Sequence, residues 1–485
     1  MKIEVLQGFQ GRLLTFYGVL MLIPMALAFY DGDASSVKAF ALTSIVTVVL
    51  GLVLWRRGNL EARMGLREGF VAVAGIWLLF SFIGAFPFYL SGYIPFYLDA
   101  LFEATSGFTA TGATVLTDIE SLPRSLLLWR SLTHWLGGMG IIVFFIILLP
   151  RVGFGAVHLF NAEVTGPDKE RVSPRIRDTA LLLWSIYSVL TLLAFVLLKL
   201  AGMSFFDAVN HAFSCVATGG FSTKNASIGA FDSPLIEAIV ILFMFLAGVN
   251  FTIYIHTWRK GTVSLLKNTE LKAYLAIILS TIAIITISLV AQAGYQLLPA
   301  LRQAAFQTVS VTTTTGFVIA DYEIWPGLPQ MLIFFLMFIG GCSASTAGGL
   351  KVNRIVVLVR LCRIYIKQAV HPHLVSNVVL GGKIVDTLVL KNVVRYFTLF
   401  IFIFVCATLA LAATGLEPFE AAAAAIATLG NAGPGFGIIG PTANYASIIP
   451  FGKIVLIACM LLGRLELLSL LILIQPEFWK STKNW

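Results

Sequence analysis

Four short stretches rich in Thr and Gly recur along the chain, each just behind a helix-like segment and each flanked by long apolar runs. They read Thr109-Ala110-Thr111-Gly112-Ala113, then Ala217-Thr218-Gly219-Gly220-Phe221, then Ser310 to Phe317 with Thr314, Thr315 and Gly316, and last Asn431-Ala432-Gly433-Pro434-Gly435. With Gly112, Gly219, Gly316 and Gly433 as the central residues, the separations are 107, 97 and 117 residues. Soluble solenoids repeat at roughly 20–50 residues, so this pattern calls for four copies of one larger unit with loops in matching places.

Composition identifies the solvent. Of 485 residues, 58% are hydrophobic and 12% charged, and apolar runs of about 20 residues, long enough to span a bilayer, recur. The chain is read as a polytopic membrane protein. Its net charge of +9 does not point to nucleic acid, because Lys and Arg fall in short segments between apolar runs, as positive-inside topology requires. The five cysteines, Cys215, Cys342, Cys362, Cys406 and Cys459, have no metal-ligand spacing and read as small core residues. The histidines, among them His134, His256, His371 and His373, form no metal pair on one helix face.

The apolar run at 11–30 is too long for a signal-peptide core and reads as a retained helix. With a second run at 37–55 it forms an N-terminal pair (1–66), whose two ends are placed in the cytoplasm by Arg56, Arg57, Arg63 and Arg67. Repeat one (67–165) has a helix over 69–91, a short segment from Asp99, and a helix over 130–150, followed by a basic stretch from Arg151 to Arg177. Repeat two (166–260) has helices over 179–201 and 235–256 around a short segment from Asp207, and Arg259, Lys260, Lys267 and Lys272 mark the return inside. Repeat three (261–383) has a helix over 271–293, a short segment from 300 and a helix from near Pro329. Repeat four (384–485) has helices over 388–413 and 451–474 around a short segment opened by Glu420.

Segments of about a dozen residues cannot cross ~30 Å of hydrocarbon, so each must enter and leave on one side. Two crossings plus a re-entrant segment return every repeat to its starting side, which makes the four repeats parallel about an axis along the membrane normal. The expected fold is an all-α polytopic membrane protein: four parallel helix–pore loop–helix repeats around one pore, plus two N-terminal helices, ten spans in all.

A cation leaving water needs oxygen ligands to replace its hydration shell, and rings of backbone carbonyls from four loops can supply them. Glycine can reach φ > 0 and let successive carbonyls face an axis, while Thr adds neutral hydroxyl oxygens. The candidate ion-binding set is therefore Thr109, Ala110, Thr111 and Gly112; Ala217, Thr218 and Gly219; Thr314, Thr315 and Gly316; Asn431, Ala432 and Gly433.

With these four loops, the variant Asn431-Ala-Gly-Pro-Gly435, the segment Gly340-Gly-Cys-Ser-Ala-Ser-Thr-Ala-Gly-Gly349 and Gly463-Arg464-Leu465-Glu466, the sequence resembles the Trk/Ktr/HKT superfamily of potassium transport proteins over essentially its whole length. The two leading helices favour the Trk branch over the shorter Ktr branch. The resemblance implies a homodimer in the lipid of the bacterial cell inner membrane, each subunit with its own pore for K⁺ and Rb⁺. It also implies gating by a cytosolic nucleotide-binding regulatory subunit of the TrkA type. No cofactor is expected on this chain, and K⁺ is the only metal. Plant relatives that pass Na⁺ often carry Ser at the first filter glycine, and Gly112 here favours K⁺.

Between Phe338 and Lys351 the chain is rich in Gly and Ser, poor in helix propensity, and falls where a helix should cross mid-membrane. The resemblance makes this an intramembrane gate loop, with Gly340, Gly341, Ser343, Ser345, Thr346, Gly348 and Gly349 as candidate gate residues. Close helix packing is the alternative use of such small residues. Arg464, halfway along the expected last helix, costs about 2.5–3.5 kcal/mol to insert and must face the bundle interior or water. It is expected to face the pore beneath the loops and meet oxygens of the 340–349 segment, with a buried ion pair as the alternative. In the family this arginine is an electrostatic barrier to cations. Lys351, Arg354, Arg360, Arg363 and Lys367 form a basic stripe that reads as positive-inside anchoring.

Two other functions compete. An intramembrane hydrolase would use Ser343 and Ser345, but no nucleophile elbow is present. A K⁺ symporter coupled to H⁺ or Na⁺ would need a membrane carboxylate, for which Glu466 is the mid-span candidate.

Overall fold

The computed structural model describes residues 1–59, 65–138, 140, 176–261, 268–374, 376–380 and 383–480. Arg63, the stretch 141–150, the basic segment from Arg151 to Arg175 and Lys267 lie outside the described residues. Among the described residues the fold is all-α, apart from one antiparallel pair of two-residue strands, Val379–Leu380 with Lys383–Ile384.

Helix α1 (Ile3–Leu20) and α2 (Leu22–Tyr30) form one 28-residue span. Asp33 caps α3 (Ala34–Arg57) by accepting from the backbone of Ser35 and Ser36. The α1/α3 pair packs through glycine: a Cβ on Gly51 would sit 2.5 Å from the Thr15 nitrogen and 2.8 Å from the Gly11 carbonyl oxygen. At one end of the bundle Asn59 bonds Glu4, Lys2 bonds Glu68 and Arg67 reaches the Lys480 carbonyl. Both ends of the first pair therefore share a face with residue 480, and the Arg124–Asp31 and Ser35–Ser91 contacts mark the opposite face.

Four units follow, each a long helix, a short helix, a loop and a return helix. The first comprises α4 (Leu66–Gly84) with α5 (Phe86–Leu90), the short α6 (Tyr97–Thr109), and α7 (Arg124–Gly138). The second has α8 (Ile176–Leu200), the short α9 (Phe205–Val216), α10 (Pro234–Gly248) and α11 (Phe251–Lys260). The third has α12 (Thr269–Ala293), the short α13 (Leu297–Thr312), α14 (Gly327–Ile339) and α15 (Val352–Val370). The fourth has α16 (Thr387–Ala412), the short α17 (Pro418–Leu429), α18 (Pro450–Arg464) and α19 (Leu468–Ile474), and α20 (Pro476–Trp479) ends the described chain. Starts are set by ordinary capping: Ser204, Ser233, Asn268 and Asp386 accept from first-turn backbone N–H groups, and Pro234, Pro418 and Pro450 sit where no N–H is needed.

The short helices have 13, 12, 16 and 12 residues and, at ~1.5 Å per residue, fall short of a bilayer. Their C-terminal halves are sealed in two apolar cores, one holding Phe108, Trp129 and Tyr187, the other Phe400, Ile426 and Met460.

Ten spans were expected. Among the described residues six helices are long and apolar enough to cross, and up to eight if two bent pairs each count as one span. The remaining two are expected return helices: α14 stops at Ile339, and the 141–150 part of the helix expected over 130–150 lies outside the described residues. The expected continuous helices at 235–256 and 451–474 are both corrected. The first bends by 89° between α10 and α11, where Asn250 caps the new helix, and the second by 119° between α18 and α19, where Glu466 and Leu467 take positive φ. Arg464 is thus the last residue of α18, at the bend, and not the middle of a continuous helix. The core reading of the cysteines holds for Cys215, Cys342 and Cys459, whereas Cys362 and Cys406 are exposed.

If the α1/α3 pair depends on backbone approach at Gly51, Gly51→Val will cost about 1–3 kcal/mol by overpacking. Thermal unfolding of the purified variant checks this, and an unchanged Tm would show that the two helices separate freely.

Candidate functional site: a ring of four loops

Each short helix ends in the same way. Ala110, Thr218, Thr314 and Asn431 occupy the left-handed region at φ 52°, 54°, 55° and 54°, and two residues later Gly112, Gly220, Gly316 and Gly433 have φ 82°, 80°, 81° and 87°. Between them, the backbone nitrogens of Thr111, Gly219, Thr315 and Ala432 bond the carbonyls of Ser106, Ser214, Ser310 and Ala427 at 2.9, 2.8, 2.8 and 2.7 Å. This register corrects the sequence alignment of the second loop. Gly220, not Gly219, is the equivalent of Gly112, Gly316 and Gly433; Gly219 fills the place held by Thr111, Thr315 and Ala432. The corrected separations are 108, 96 and 117 residues.

The loops close on one another. A Cβ on Gly112 would overlap the Gly219 carbonyl oxygen, one on Gly220 that of Thr315, one on Gly316 that of Ala432 and one on Gly433 that of Thr111. The order one, two, three, four and back to one describes a closed ring with a carbonyl from every loop. All four glycines line a single opening above the ring, with Arg130 and Tyr445 in its wall.

Hydroxyls and amides lock the ring. Thr109 pairs with Thr111 and Thr313 with Thr315, each at 2.7 Å, and Asn431 Nδ2 donates to Thr111 Oγ1 at 2.8 Å and to the Met460 carbonyl at 3.1 Å. Ala217 is buried at the end of α9, where its carbonyl accepts from the Thr218 hydroxyl. On the rim, Asn225 donates to Asp118 at 3.0 Å and holds that carboxyl below the usual carboxylate range. Burial pushes the Glu323 carboxyl up, with Asp321 and Glu420 adding to the rise.

Beneath the ring lies the segment 340–351, an ordered loop with φ of 75° at Gly340, 51° at Ala344 and 75° at both Gly349 and Lys351. The Gly348 N–H donates to Thr314 Oγ1 at 2.7 Å, so the segment touches the ring directly. Thr346 Oγ1 donates to the Val216 and Ala247 carbonyls at 3.1 and 3.2 Å. Cys342 N bonds the Gly248 carbonyl and Phe251 N the Ala344 carbonyl, which ties the segment to the α10/α11 break. The Val352 nitrogen bonds the Gly341 carbonyl, and Ser343 N donates to the buried Glu270 carboxylate at 2.6 Å. Ser345 turns its hydroxyl onto the Cys342 carbonyl, and Lys351 Nζ donates to the Ala347 carbonyl.

Arg464 reaches the same layer. Its guanidinium donates to the Thr346 carbonyl at 2.8 Å and to the Gly137 and Gly138 carbonyls at 2.6 and 2.7 Å. Glu466 turns elsewhere, onto Arg354 at 2.8 Å, where Arg354 also lies 3.9 Å over the Tyr396 ring. Of the histidines, His134 stacks on Phe221 and approaches Ser214, and His211 bonds Ser222, so neither is directed at Ser343 or Ser345.

Sequence reading missed the polar groups behind the ring. Glu103 and Arg130, each 1% exposed, form an ion pair at 2.7 Å; Arg130 also donates to the Ser222 carbonyl and lies 4.0 Å over Phe221. Glu270 and Tyr445 were missed as well. The available signal was a charge inside an apolar helix, which applies to Arg130 as much as to Arg464.

Residues 36–481 match the TrkH family, described as cation transport proteins. The chain is 38% identical over 482 residues, 97% of its length and 98% of the relative's, to the Trk system potassium uptake protein TrkH of Salmonella typhimurium. It is 34% identical over 485 residues, 99% of each chain, to the Trk system potassium uptake protein TrkG of Escherichia coli. The crystal structure of the potassium transporter TrkH from Vibrio parahaemolyticus matches with a TM-score of 0.88 at 35% identity, over 99% of this chain and 100% of that one.

Gly220→Ala adds both left-handed strain, about 1–2 kcal/mol, and overlap with the neighbouring loop. Gly202→Ala adds the strain alone, since nothing lies within 4 Å of its Cβ position. Thermal unfolding should therefore show a clearly larger loss at Gly220, and equal losses would sink the ring contact.

Proposed function

The chain belongs to the TrkH family of cation transport proteins, and from that premise we propose that it is the membrane pore of a potassium uptake system. Ions pass through the ring of four loops, and the 340–349 segment with Arg464 gates them from below. Its relatives are named as transport proteins and not as enzymes. The observation that carries the proposal is the closed ring itself: four loops in one register, each bringing a backbone carbonyl against the glycine of its neighbour. Such carbonyls can replace a hydration shell without placing a fixed charge in the path. The candidate residues Thr109 to Gly112, Ala217 to Gly220, Thr314 to Gly316 and Asn431 to Gly433 then act as the ion-binding filter.

Gating follows from position. The segment lies under the ring, bonded to Thr314, and Arg464 bonds to its Thr346 carbonyl. At an effective dielectric of about 20, a unit charge ~6 Å from a K⁺ raises its energy by roughly 3 kcal/mol. Pairing of Glu466 with Arg354 leaves the expected relay carboxylate engaged, which favours passive conduction over coupled symport. The subunit works as a homodimer in the cell inner membrane, with a cytosolic nucleotide-binding subunit acting on its basic end. The exposed Arg363 and Lys367 of α15 suit such a contact.

In reconstituted vesicles, Gly112→Ser should lower K⁺ over Na⁺ discrimination, and unaltered selectivity would remove the filter assignment. Arg464→Ala should raise K⁺ flux by up to about a hundredfold, the factor that ~3 kcal/mol corresponds to, while the order of ion preference stays the same. Lower thermal stability without any gain in flux would sink the barrier role.

A further inference from the structure

Nine residues ahead of the ring glycines Gly112, Gly220 and Gly316 stand Glu103, His211 and Gln307, and ahead of Gly433 stands Ala424. All four are buried. In the first three repeats this one position holds the chain just above the ring. The Glu103 carboxylate accepts from the Thr114 hydroxyl at 3.0 Å and from the Val115 nitrogen at 3.1 Å. His211 donates through Nδ1 to the Asp207 carbonyl at 2.8 Å, which leaves Nε2 to accept from the Ser222 hydroxyl at 2.9 Å. Gln307 Nε2 donates to the Ala320 carbonyl at 2.8 Å. Ala424 has no polar side chain, and the fourth loop is held from outside: Tyr445 OH donates to the Gly433 carbonyl at 2.6 Å and Tyr322 OH to the Gly435 carbonyl at 2.8 Å.

Each loop is thus hung from a polar strut, but the four struts differ in chemistry. The first is charged and reaches beyond its own repeat. Glu103 pairs with Arg130, whose second arm donates to the Ser222 carbonyl at 3.1 Å, so one ion pair fixes loops one and two against each other. The fourth also crosses a boundary, because the Tyr445 nitrogen bonds the Thr114 carbonyl at 2.8 Å. Loop one is therefore held on both sides.

We propose that these struts, Glu103 with Arg130 foremost and Tyr445 closing the ring, are specificity-positioning residues: they set how far the carbonyl ring can contract around a smaller cation. The inference rests on the conduction reading above. A ring of carbonyls prefers the larger ion only while contraction onto the smaller one is resisted, by cavity size or by the fixed number and direction of its dipoles. Resistance must come from groups outside the ring that hold its loops. Charge-assisted bonds are roughly twice as strong as neutral ones, which places the largest share on Glu103 and Arg130.

The test reads ion preference without requiring the gate to open. Thermal unfolding of the purified full-length protein is titrated with KCl or NaCl, with choline chloride holding ionic strength constant. Ligand linkage then gives the ratio of apparent K⁺ to Na⁺ affinities, and choline alone gives the intrinsic stability. Glu103→Gln should lower that ratio at least about tenfold, given the loss of a charged hydrogen-bond acceptor. Tyr445→Phe, which deletes a single oxygen atom, should lower it about threefold, as expected for one neutral hydrogen bond. If Glu103→Gln does not fold, Tyr445→Phe and Gln307→Leu carry the test. Variants that lose stability in choline yet keep the wild-type ratio would overturn the inference, because the struts would then be structural only. A wild-type ratio near one would overturn the conduction reading itself, and a discriminating wild type with undiminished variants overturns the strut inference alone.

Discussion

Inside hydrocarbon every backbone N–H and C=O must find a partner, and non-helical chain is tolerated only where protein or a wet cavity surrounds it. This chain leaves the helix at membrane depth in the four loops, at the 340–351 segment and at the breaks after Gly248 and Arg464. The solution is the same in each place: the irregular pieces are packed against one another. The Gly248 carbonyl released by the α10/α11 break accepts from Cys342, the Ala344 carbonyl accepts from Phe251, and Thr346 takes up the Val216 and Ala247 carbonyls. The α10/α11 break and the 340–351 segment thus satisfy one another, so neither can be straightened alone.

The four loops are alike in backbone and unlike in side chain. The left-handed position is Ala110, Thr218, Thr314 or Asn431, and the three polar side chains meet different neighbours: Thr218 bonds the Ala217 carbonyl, Thr314 takes the Gly348 N–H, and Asn431 crosses to Thr111 and Met460. What repeats is the geometry that carbonyl ligation needs. What diverges is the set of contacts to the surroundings: among the described residues it is the return helix of the third repeat that gives way to the 340–351 segment below the ring. Pseudo-fourfold symmetry is therefore strict at the ring and lost within one layer of it.

This division also explains what the sequence disclosed. The four loops were legible because Thr and Gly stand out between apolar runs, and the break at 340–349 because six residues of that ten-residue stretch are Gly or Ser. The register of loop two was not legible: Gly219 and Gly220 offer two alignments, and the φ values of Thr218 and Gly220 with the bond from Gly219 N to the Ser214 carbonyl decide between them. Nor was the break at Leu465 to Leu467, where Glu466 and Leu467 take a conformation that costs L-residues about 1–2 kcal/mol each. It is held by the Glu466 pair with Arg354, 112 residues away in sequence. The pairing of Glu103 with Arg130 was not legible either, since it exists only once α6 and α7 are packed side by side.

Arg464 draws these strands together. It donates to the Gly137 and Gly138 carbonyls of α7, the first of which also accepts from the Gly140 nitrogen, and at the same time to the Thr346 carbonyl of the third repeat. A guanidinium supplies donors in a fixed planar fork, so one side chain of repeat four can bind repeats one and three together. It is in effect a tethered cation held by the kind of oxygen that an ion leaving the ring would next require. On the conduction reading, an ion descending from the loops meets ligands that are already occupied and a like charge beside them. Passage then requires the arginine or the Thr346 carbonyl to move. Thr346 belongs to the segment that also bonds Thr314 through the Gly348 N–H, so the same reading connects such a movement to the ring above. On that reading the lower barrier and the upper selection step are linked by two hydrogen bonds, Arg464 to the Thr346 carbonyl and the Gly348 N–H to Thr314, rather than by a long path through the fold.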